Sequence, residues 1–351
     1  MESVSTPPAA PAPAPSPSHG TFLGPHHLLY QPDTPEGFVL GSAAPVRQRF
    51  VFSAELPGEH PLFTDVAAPF HDLLLPVESL RQSALFAARQ YFRVPERRHA
   101  VIAEGGATVT DLPPWRRTSA APGTPLALEL ELTPVDVVRG VPRGLEADAV
   151  VSIGGRRCAT ARARLVFATP GVYRGHRAAG LRDSGPAAAH ERDSTSPGAP
   201  GPHQVGRVSA RNVVLGPPVE DTAGDEGGEG ELVFPVDSRA ALEALPGLPG
   251  ELPPALFLEA SRQACLVAAA ERHGFAPGHA LMTHWHASFR GFAEPGHPLW
   301  CEVRHHVPAD GAGPAPARDA EDRPTSDWRL HFSQGNRTVA RVHATVLQDC
   351  R

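Results

Sequence analysis

Runs of apolar residues with helical and strand-like spacing divide the chain into two bodies of similar layout. Residues 76–102 and 256–282 each begin with an Ala-rich helical run. Small or apolar side chains stand nearly all round both runs, which is typical of helices buried in a core. After each helix the residues alternate with the period of two that predicts β-strands. These predicted strands cover 126–133, 146–153 and 157–168 in the first body and 283–292, 297–307, 327–333 and 336–348 in the second.

The two helical runs share a motif. Aligned on Glu78 and Glu259, both read E-x-x-R-Q, then small and apolar residues, a proline and a histidine. The second motif follows the first by 259 minus 78, or 181, residues, which indicates a duplicated unit. Hairpin dipeptides at Gly154-Gly155 and Gly335-Asn336 join the last strand pairs. One central helix wrapped by an antiparallel sheet, made twice, is a double hotdog, so the predicted fold class is α+β.

Stretches rich in Pro, Gly and Ala mark the predicted boundaries of the two bodies. The prediction is a disordered tail at 1–21, a first hotdog repeat at 22–172, a disordered linker at 173–204 and a second repeat at 205–351. A flexible loop is expected within the second repeat, at about 309–325.

Composition limits the chemistry. All 32 basic residues are arginine, so no lysine can act as a base or form a Schiff base, and proton transfer falls to carboxylates or imidazoles. The net charge of −6 and the absence of a long basic run argue against nucleic-acid binding. No apolar stretch reaches the roughly 20 residues of a membrane span, and no signal core follows the N-terminus. The four cysteines form no CxxC pair, so we expect neither disulfides nor a zinc site. Together these features predict a cytoplasmic protein without metal or cofactor.

The motifs resemble those of a known family. FVFSAELPGEHPLFTD (50–65) and HDLLLPVESLRQSALFAARQYFRVP (71–95) resemble the first hotdog repeat of the A-factor biosynthesis (AfsA-type) proteins. RNVVL (211–215) and LFLEASRQA (256–264) resemble their second repeat. The resemblance implies transfer of a β-ketoacyl group from an acyl-carrier protein to the hydroxyl of dihydroxyacetone phosphate or a related small acceptor. The ester would lead to a γ-butyrolactone or butenolide signal, or to another specialised metabolite.

The resemblance also suggests site residues, since the family's leading catalytic candidates match Glu78 and Arg262. Intrahelical ion pairs on a surface are the plain alternative, but a carboxylate among apolar neighbours is costly without a partner or a task. Glu78 is therefore predicted as the general base and Arg262 as the group that holds an anion. Arg81, Gln82, Glu259 and Gln263, on the same helix faces, are predicted to bind substrate.

Two histidines complete the predicted site. His71 before the first helix is predicted as catalytic and His60 as substrate-binding, although either could be structural. The corresponding stretch before the second helix, ALPGLPGELPPAL (244–256), has no histidine, so the second half-site is expected to be degenerate. Either histidine beside Glu259 would instead favour a dehydratase or thioesterase, and a non-catalytic acyl-binding protein is the remaining alternative. One chain already holds two hotdogs, so both a monomer and a homodimer fit.

Overall fold

The computed structural model describes residues 31–36, 47–117, 123–184, 194–219, 232–239, 252–306 and 316–349. In the first repeat, β1 (Gln31–Glu36) and β2 (Gln48–Glu55) precede helix α1 (Leu74–Gln90); β3 (His99–Val109), β4 (Pro125–Val138), β5 (Val141–Ile153) and β6 (Arg156–Ala168) follow it. Helix α2 (Pro170–Asp183) comes next along the chain. The second repeat contains β7 (Leu232–Val236), helix α3 (Pro254–His273), β8 (Ala280–Phe289), β9 (Leu299–His305), β10 (Ala317–Arg318), β11 (Pro324–Gln334) and β12 (Arg337–Gln348).

All strands belong to one antiparallel sheet. Its order is β1-β2-β4-β5-β6-β3-β8-β12-β11-β9-β7, and β10 pairs with β11. Read outward from the β3–β8 junction, β6, β5, β4 and β2 correspond to β12, β11, β9 and β7. This internal symmetry confirms the predicted double hotdog, in which α1 and α3 each pack against the strands of their own repeat.

The two repeats join where β3 pairs with β8. The register runs from Glu104 opposite Ser288 to Thr108 opposite His284. Gly106 stands in the middle of this pairing, and a Cβ atom there would lie 2.9 Å from the main-chain oxygen of Trp285. A larger residue would push the two strands apart, so the glycine permits the close approach that makes the sheet continuous.

The core lies between each helix and its half of the sheet. In β4, Leu126, Leu128, Leu130 and Leu132 are buried, whereas Glu129 between them points outward. Helix α3 is buried continuously from Ala255 to Ala269, as its nearly all-round apolar pattern predicts. Removing this apolar surface from water is the main source of stability. In the described part of the chain, no helix is long and apolar enough to cross a lipid bilayer.

The structure differs from the prediction over the linker at 173–204, because most of α2 lies in it. The ring of Tyr173 stacks on His99 with centroids 3.9 Å apart, and Arg177 bonds the buried carboxylate of Glu294. These tertiary contacts stabilise a helix whose Gly- and Arg-rich sequence has little apolar periodicity. The predicted loop at 309–325 likewise contains β10. The predicted tail at 1–21 lies outside the described residues.

Candidate active site

The first cluster of polar side chains is centred on Glu78 of α1. Arg81 donates from Nε to Glu78 Oε2 at 2.8 Å and from Nη2 to Oε1 at 2.6 Å, and Gln82 donates to Oε1 at 2.7 Å. The three meet because positions i, i+3 and i+4 share a helix face. Glu78 is buried, while the Arg81 side chain is 26% exposed. From the described residues Oε1 accepts two hydrogen bonds and Oε2 one, so Oε2 keeps an acceptor position open.

The second cluster repeats this arrangement around Glu259 of α3 and adds a third donor. Arg262 donates to Oε2 at 3.1 Å and to Oε1 at 2.7 Å, and Gln263 donates to Oε1 at 2.5 Å. Arg207, from outside the helix, donates to Oε1 at 2.9 Å and to Oε2 at 2.5 Å. Glu259 therefore accepts five hydrogen bonds, more than the four that two carboxylate oxygens ordinarily accept.

Arg207 ties this second cluster to the first repeat. It is fully buried and forms a salt bridge with Asp72 Oδ2 at 2.8 Å. It also donates to the main-chain oxygens of Leu62 and Asp65 at 2.8 and 2.9 Å. One guanidinium thus fixes Glu259 against the loop that precedes α1. A guanidinium charge buried in this way is stable only because carboxylates and main-chain oxygens surround it and accept its hydrogen bonds.

These neighbours fix the protonation state of Glu259. Burial alone would raise the pKa of this carboxyl, but the charges of Arg207 and Arg262 lower it to about 2. Glu259 is therefore ionised at neutral pH and has no proton to donate. Gly206 beside Arg207 adopts a left-handed φ of 68°, and a Cβ there would lie 2.8 Å from Leu266. The glycine lets the chain pass closely over α3.

A small cavity lies between the pre-helix loop of the first repeat and α3. His71, Asp72, Arg262 and Leu266 are among its lining residues, and its volume of about 20 Å³ suits a single water molecule. Burial, with a contribution from the charge of Arg117, lowers the pKa of His71 to about 4. His71 is thus a neutral imidazole at pH 7. The predicted catalytic residues His71 and Arg262 share this cavity, whereas Glu78 bonds the arginine of its own helix.

A larger cavity occupies the equivalent place at the other half-site. The 181-residue offset relates Arg81 and Leu85, which line it, to Arg262 and Leu266 of the small cavity. Residues 252–254, at the start of α3, line this cavity and correspond by the same offset to residues 71–73, which include His71. The volume is about 520 Å³, within the range of small-molecule sites. The half-site that lacks a histidine before its helix is predicted to be degenerate. It nevertheless has the larger of the two cavities.

The walls of the larger cavity combine two kinds of side chain. Apolar surface comes from both repeats, and basic side chains stand among it, with Glu96 as a carboxylate in the lining. Such a lining can contact both an acyl chain and an anion. The apolar members include Leu85, Ile102, Leu165, Phe257 and Phe289, and the basic members are Arg81, Arg89, Arg98, His99, His176, Arg177 and Arg290.

The two central helices also differ in whether a side chain bonds their first turn. Asp72 Oδ1 accepts a hydrogen bond from the amide of Leu74 at the start of α1, at 2.9 Å. No side chain of a described residue caps α3, whose first residue is Pro254, and both Pro253 and Pro254 line the larger cavity. The partial positive charge at the start of α3 is therefore available to a group bound there.

His60, predicted to bind substrate, closes a turn. Its Nδ1 accepts hydrogen bonds from the amides of Leu62 and Phe63 at 3.1 and 3.0 Å, and its ring stacks on Phe63. A nitrogen used in this way fixes the loop before α1. The five hydrogen bonds to Glu259 all come from arginines and a glutamine, so the histidine–glutamate pair of a hotdog dehydratase is not formed.

Sequence reasoning missed two contributors to the half-sites. Arg207 lies 52 residues before Glu259 and belongs to no repeated motif. Helix α2 supplies Tyr173, His176 and Arg177 to the larger cavity. The run of residues from Tyr173 to Arg177, with an aromatic residue and three basic ones, was the available signal.

A groove of about 880 Å³ lies on the outer face of the sheet. Charged side chains in it pair with one another across strands, as Arg157 does with Glu129 at 2.8 Å. No residue of α1 or α3 lines the groove, so it lies away from the E-x-x-R-Q motifs of both repeats. Among the described residues, no group of three or more His, Cys, Asp or Glu side chains could hold a metal ion.

Comparison with known proteins agrees with this architecture. The chain matches the A-factor biosynthesis hotdog domain over residues 35–169 and 193–348. A Streptomyces griseus protein named 2-oxo-3-(phosphooxy)propyl 3-oxoalkanoate synthase is 31% identical over 258 residues, which are 72% of this chain and 76% of that protein. A Streptomyces coelicolor protein of the same name is 29% identical over 152 residues, 43% of this chain and 47% of its own length. Among solved structures, the 12:0-ACP thioesterase of Umbellularia californica has a TM-score of 0.45 at 11% identity, covering 85% of this chain and 93% of its own.

Proposed function

This chain belongs to the A-factor biosynthesis hotdog family, and on that premise we propose that it is an acyltransferase. It takes a β-ketoacyl group from the thioester of an acyl-carrier protein and passes it to the hydroxyl of dihydroxyacetone phosphate. The product is the ester that the name of its Streptomyces relatives describes. We place the reaction in the larger cavity, and the observation that carries this choice is its combination of apolar walls with arginines, of which Arg81 also bonds the buried carboxylate of Glu78.

The lining offers contacts to each of the two substrates. The β-ketoacyl chain lies along the apolar wall, which includes Leu85, Phe257 and Phe289. Its burial supplies binding energy of about 25 cal/mol for each Å² of apolar surface removed from water. The phosphate of the acceptor binds Arg81, because a guanidinium group can donate two parallel hydrogen bonds to phosphate oxygens. Arg98 and Arg290 also line the cavity and provide further positive charge.

Glu78 is the general base. Its Oε2 accepts one hydrogen bond from Arg81 and has a second acceptor position for the attacking hydroxyl. The hydroxyl oxygen bonds to the thioester carbon as its proton moves to Glu78, and the carbon–sulfur bond then breaks. The proton passes to the departing thiolate, so an ester and a free carrier thiol are formed. Arg81 bonds Glu78 and also lines the cavity. The base is therefore held next to the residue that binds the acceptor.

The start of α3 stabilises the charge that develops on the thioester oxygen. The amides of Ala255 and Phe257 lie in its uncapped first turn, and helix N-termini favour negative charge. At the smaller half-site, Asp72 already bonds the first turn of α1. A cavity of about 20 Å³ there leaves no room for either substrate.

The test is one incubation with a synthetic β-ketoacyl carrier protein and dihydroxyacetone phosphate, followed by mass spectrometry. We expect the phosphorylated β-ketoester and the free carrier thiol in equal amounts. Free β-keto acid without ester would mean hydrolysis, and an enoyl thioester made from a β-hydroxyacyl carrier would mean dehydration. Either of these in place of the ester would refute the proposal. Dihydroxyacetone in place of dihydroxyacetone phosphate is the control for the phosphate contacts.

A further inference from the structure

Four exposed arginines lie around the mouth of the larger cavity: Arg89, Arg93, Arg97 and Arg290, called the arginine rim here. Arg89 and Arg290 line the cavity itself. Arg93 and Arg97 belong to the short segment after α1, whose neighbours Glu96 and Arg98 also line the cavity. The rim therefore combines the end of α1 with the end of β8, one from each repeat.

The rim arginines differ in their partners from several other surface arginines. In the part of the chain that the structure describes, none of the four forms a salt bridge with a carboxylate. Elsewhere on the surface such pairs are frequent: Arg156 bonds Asp111 at 2.7 Å and Arg157 bonds Glu129 at 2.8 Å. Positive charges without carboxylate partners attract an approaching anionic group.

Local stability explains only part of the rim. Arg89 lies in the last turn of α1, where a positive charge interacts favourably with the helix dipole. Arg93 and Arg97 lie beyond the end of the helix, and this effect fades within the last turn. Arg93 also adopts a left-handed φ of 55°, which is uncommon for a residue other than glycine. The backbone is thus held in a costly conformation where an unpaired charge faces solvent.

We propose that the arginine rim is the docking surface for the acidic carrier protein that delivers the acyl group. This inference rests on the proposed function, because a carrier must place its thioester arm in the larger cavity and hence dock beside its mouth. A protein with acidic side chains complements Arg93 and Arg97 together, outside the cavity that binds the small acceptor. Complementary charge of this kind speeds association and selects the partner.

A second basic patch on the outer face of β11 and β12 provides a matched control. Arg329 and Arg341 are exposed there, and neither forms a salt bridge with a described carboxylate. They line a groove with His286, His331 and His343 on the face of the sheet opposite α3. A carrier bound there would have the sheet between it and the larger cavity, so this patch cannot deliver the acyl group.

The experiment compares two thioesters of the same β-ketoacyl group, one on the carrier protein and one on N-acetylcysteamine. We expect the double variant R93E/R97E to raise the KM for the carrier substrate at least tenfold at low ionic strength. Its kcat/KM for the small thioester stays within twofold of wild type. The variant R329E/R341E leaves both values unchanged. Added salt reduces the difference between wild type and R93E/R97E, because it screens exposed charges.

Three outcomes would overturn the docking surface: an unchanged KM for the carrier in R93E/R97E, an equal loss with both thioesters, or a larger effect in R329E/R341E. Failure of the proposed function looks different, because wild type would then form no ester from either thioester. In that case the fluorescence anisotropy of labelled carrier protein, titrated with wild type and R93E/R97E, decides the docking by itself. Equal affinity of the two proteins would refute it, and at least tenfold weaker binding by the variant would support it.

Discussion

Glu78 and Glu259 occupy the same position in two repeated helices, yet within the described parts of the chain Glu78 keeps an open acceptor position and Glu259 has none. The difference comes from Arg207, which adds two hydrogen bonds to Glu259 and has no counterpart among the described contacts of Glu78. In our proposal the first carboxylate exchanges a proton with a substrate, while the second joins the two repeats. The duplicated motif thus has a catalytic copy in our proposal and a structural copy.

The first prediction concerns Glu78. Glu78→Gln removes the base but keeps the size of the side chain, so we expect kcat to fall by about 10²–10⁴-fold with folding retained. Ester formation and circular dichroism measure the two effects. Glu259→Gln is the matched control. Each folded molecule of this variant should lose far less activity than a folded molecule of Glu78→Gln. Full activity in Glu78→Gln would exclude Glu78 as the base.

The second prediction concerns the stability that Glu259 contributes. Glu259→Gln leaves Arg207 buried with one partner fewer, so the free energy of unfolding should fall by about 3–5 kcal/mol at pH 7. Because the folded pKa of Glu259 is depressed to about 2, its contribution is present above about pH 4.5 and is lost as the pH falls towards 2. Urea unfolding at several pH values should show the gap between wild type and variant narrowing over this range. A gap independent of pH would contradict the assignment.

The third prediction separates the two half-sites. Arg81→Ala should raise the KM for dihydroxyacetone phosphate and lower kcat, because Arg81 contacts both the cavity and Glu78. Arg262→Ala should chiefly lower the midpoint of thermal unfolding, since Arg207 still pairs with Glu259. Steady-state kinetics and thermal unfolding of both variants give the comparison. Lost activity with unchanged stability in Arg262→Ala would instead give Arg262 the catalytic part that the family resemblance suggests.

The fourth prediction concerns His71. The pKa of His71 is about 4 in the folded protein, whereas the ordinary value is 6.5. The unfolded chain therefore binds a proton more readily than the folded one, and the free energy of unfolding decreases as the pH falls from 6.5 towards 4. Replacing His71 with Gln should flatten the dependence of the unfolding free energy on pH in that window. At pH 7 we expect the variant to keep its activity, because His71 lies at the smaller half-site. A loss of kcat in a folded His71→Gln protein would make it a catalytic residue.

Local patterns were sufficient to predict the fold. The repeated E-x-x-R-Q motif identified both central helices, and the alternating runs identified strands such as β4 and β12. Both signals depend on neighbouring positions within one element, so they can be read without knowing the tertiary structure. The hydrogen bonds among Glu78, Arg81 and Gln82 were predictable for the same reason.

The asymmetry of the two half-sites was not predictable, because it depends on contacts between distant segments. The missing histidine before α3 suggested that this half-site is degenerate, although the space there is the larger. Arg207 closes the other half-site through contacts with a loop about 140 residues earlier in the chain, at Leu62 and Asp65. Helix α2 was missed because contacts such as Arg177 with Glu294 stabilise it rather than its own sequence pattern.

The β3–β8 junction has a consequence for how such a molecule can evolve. Two identical hotdogs paired across these strands would present two identical half-sites, and an arginine that closed one would close the other. With both repeats in one chain, Arg207 arises once, and the substitution acts on a single side. Covalent linkage therefore permits one half to specialise in holding the molecule together while its twin remains free to acquire new substrates.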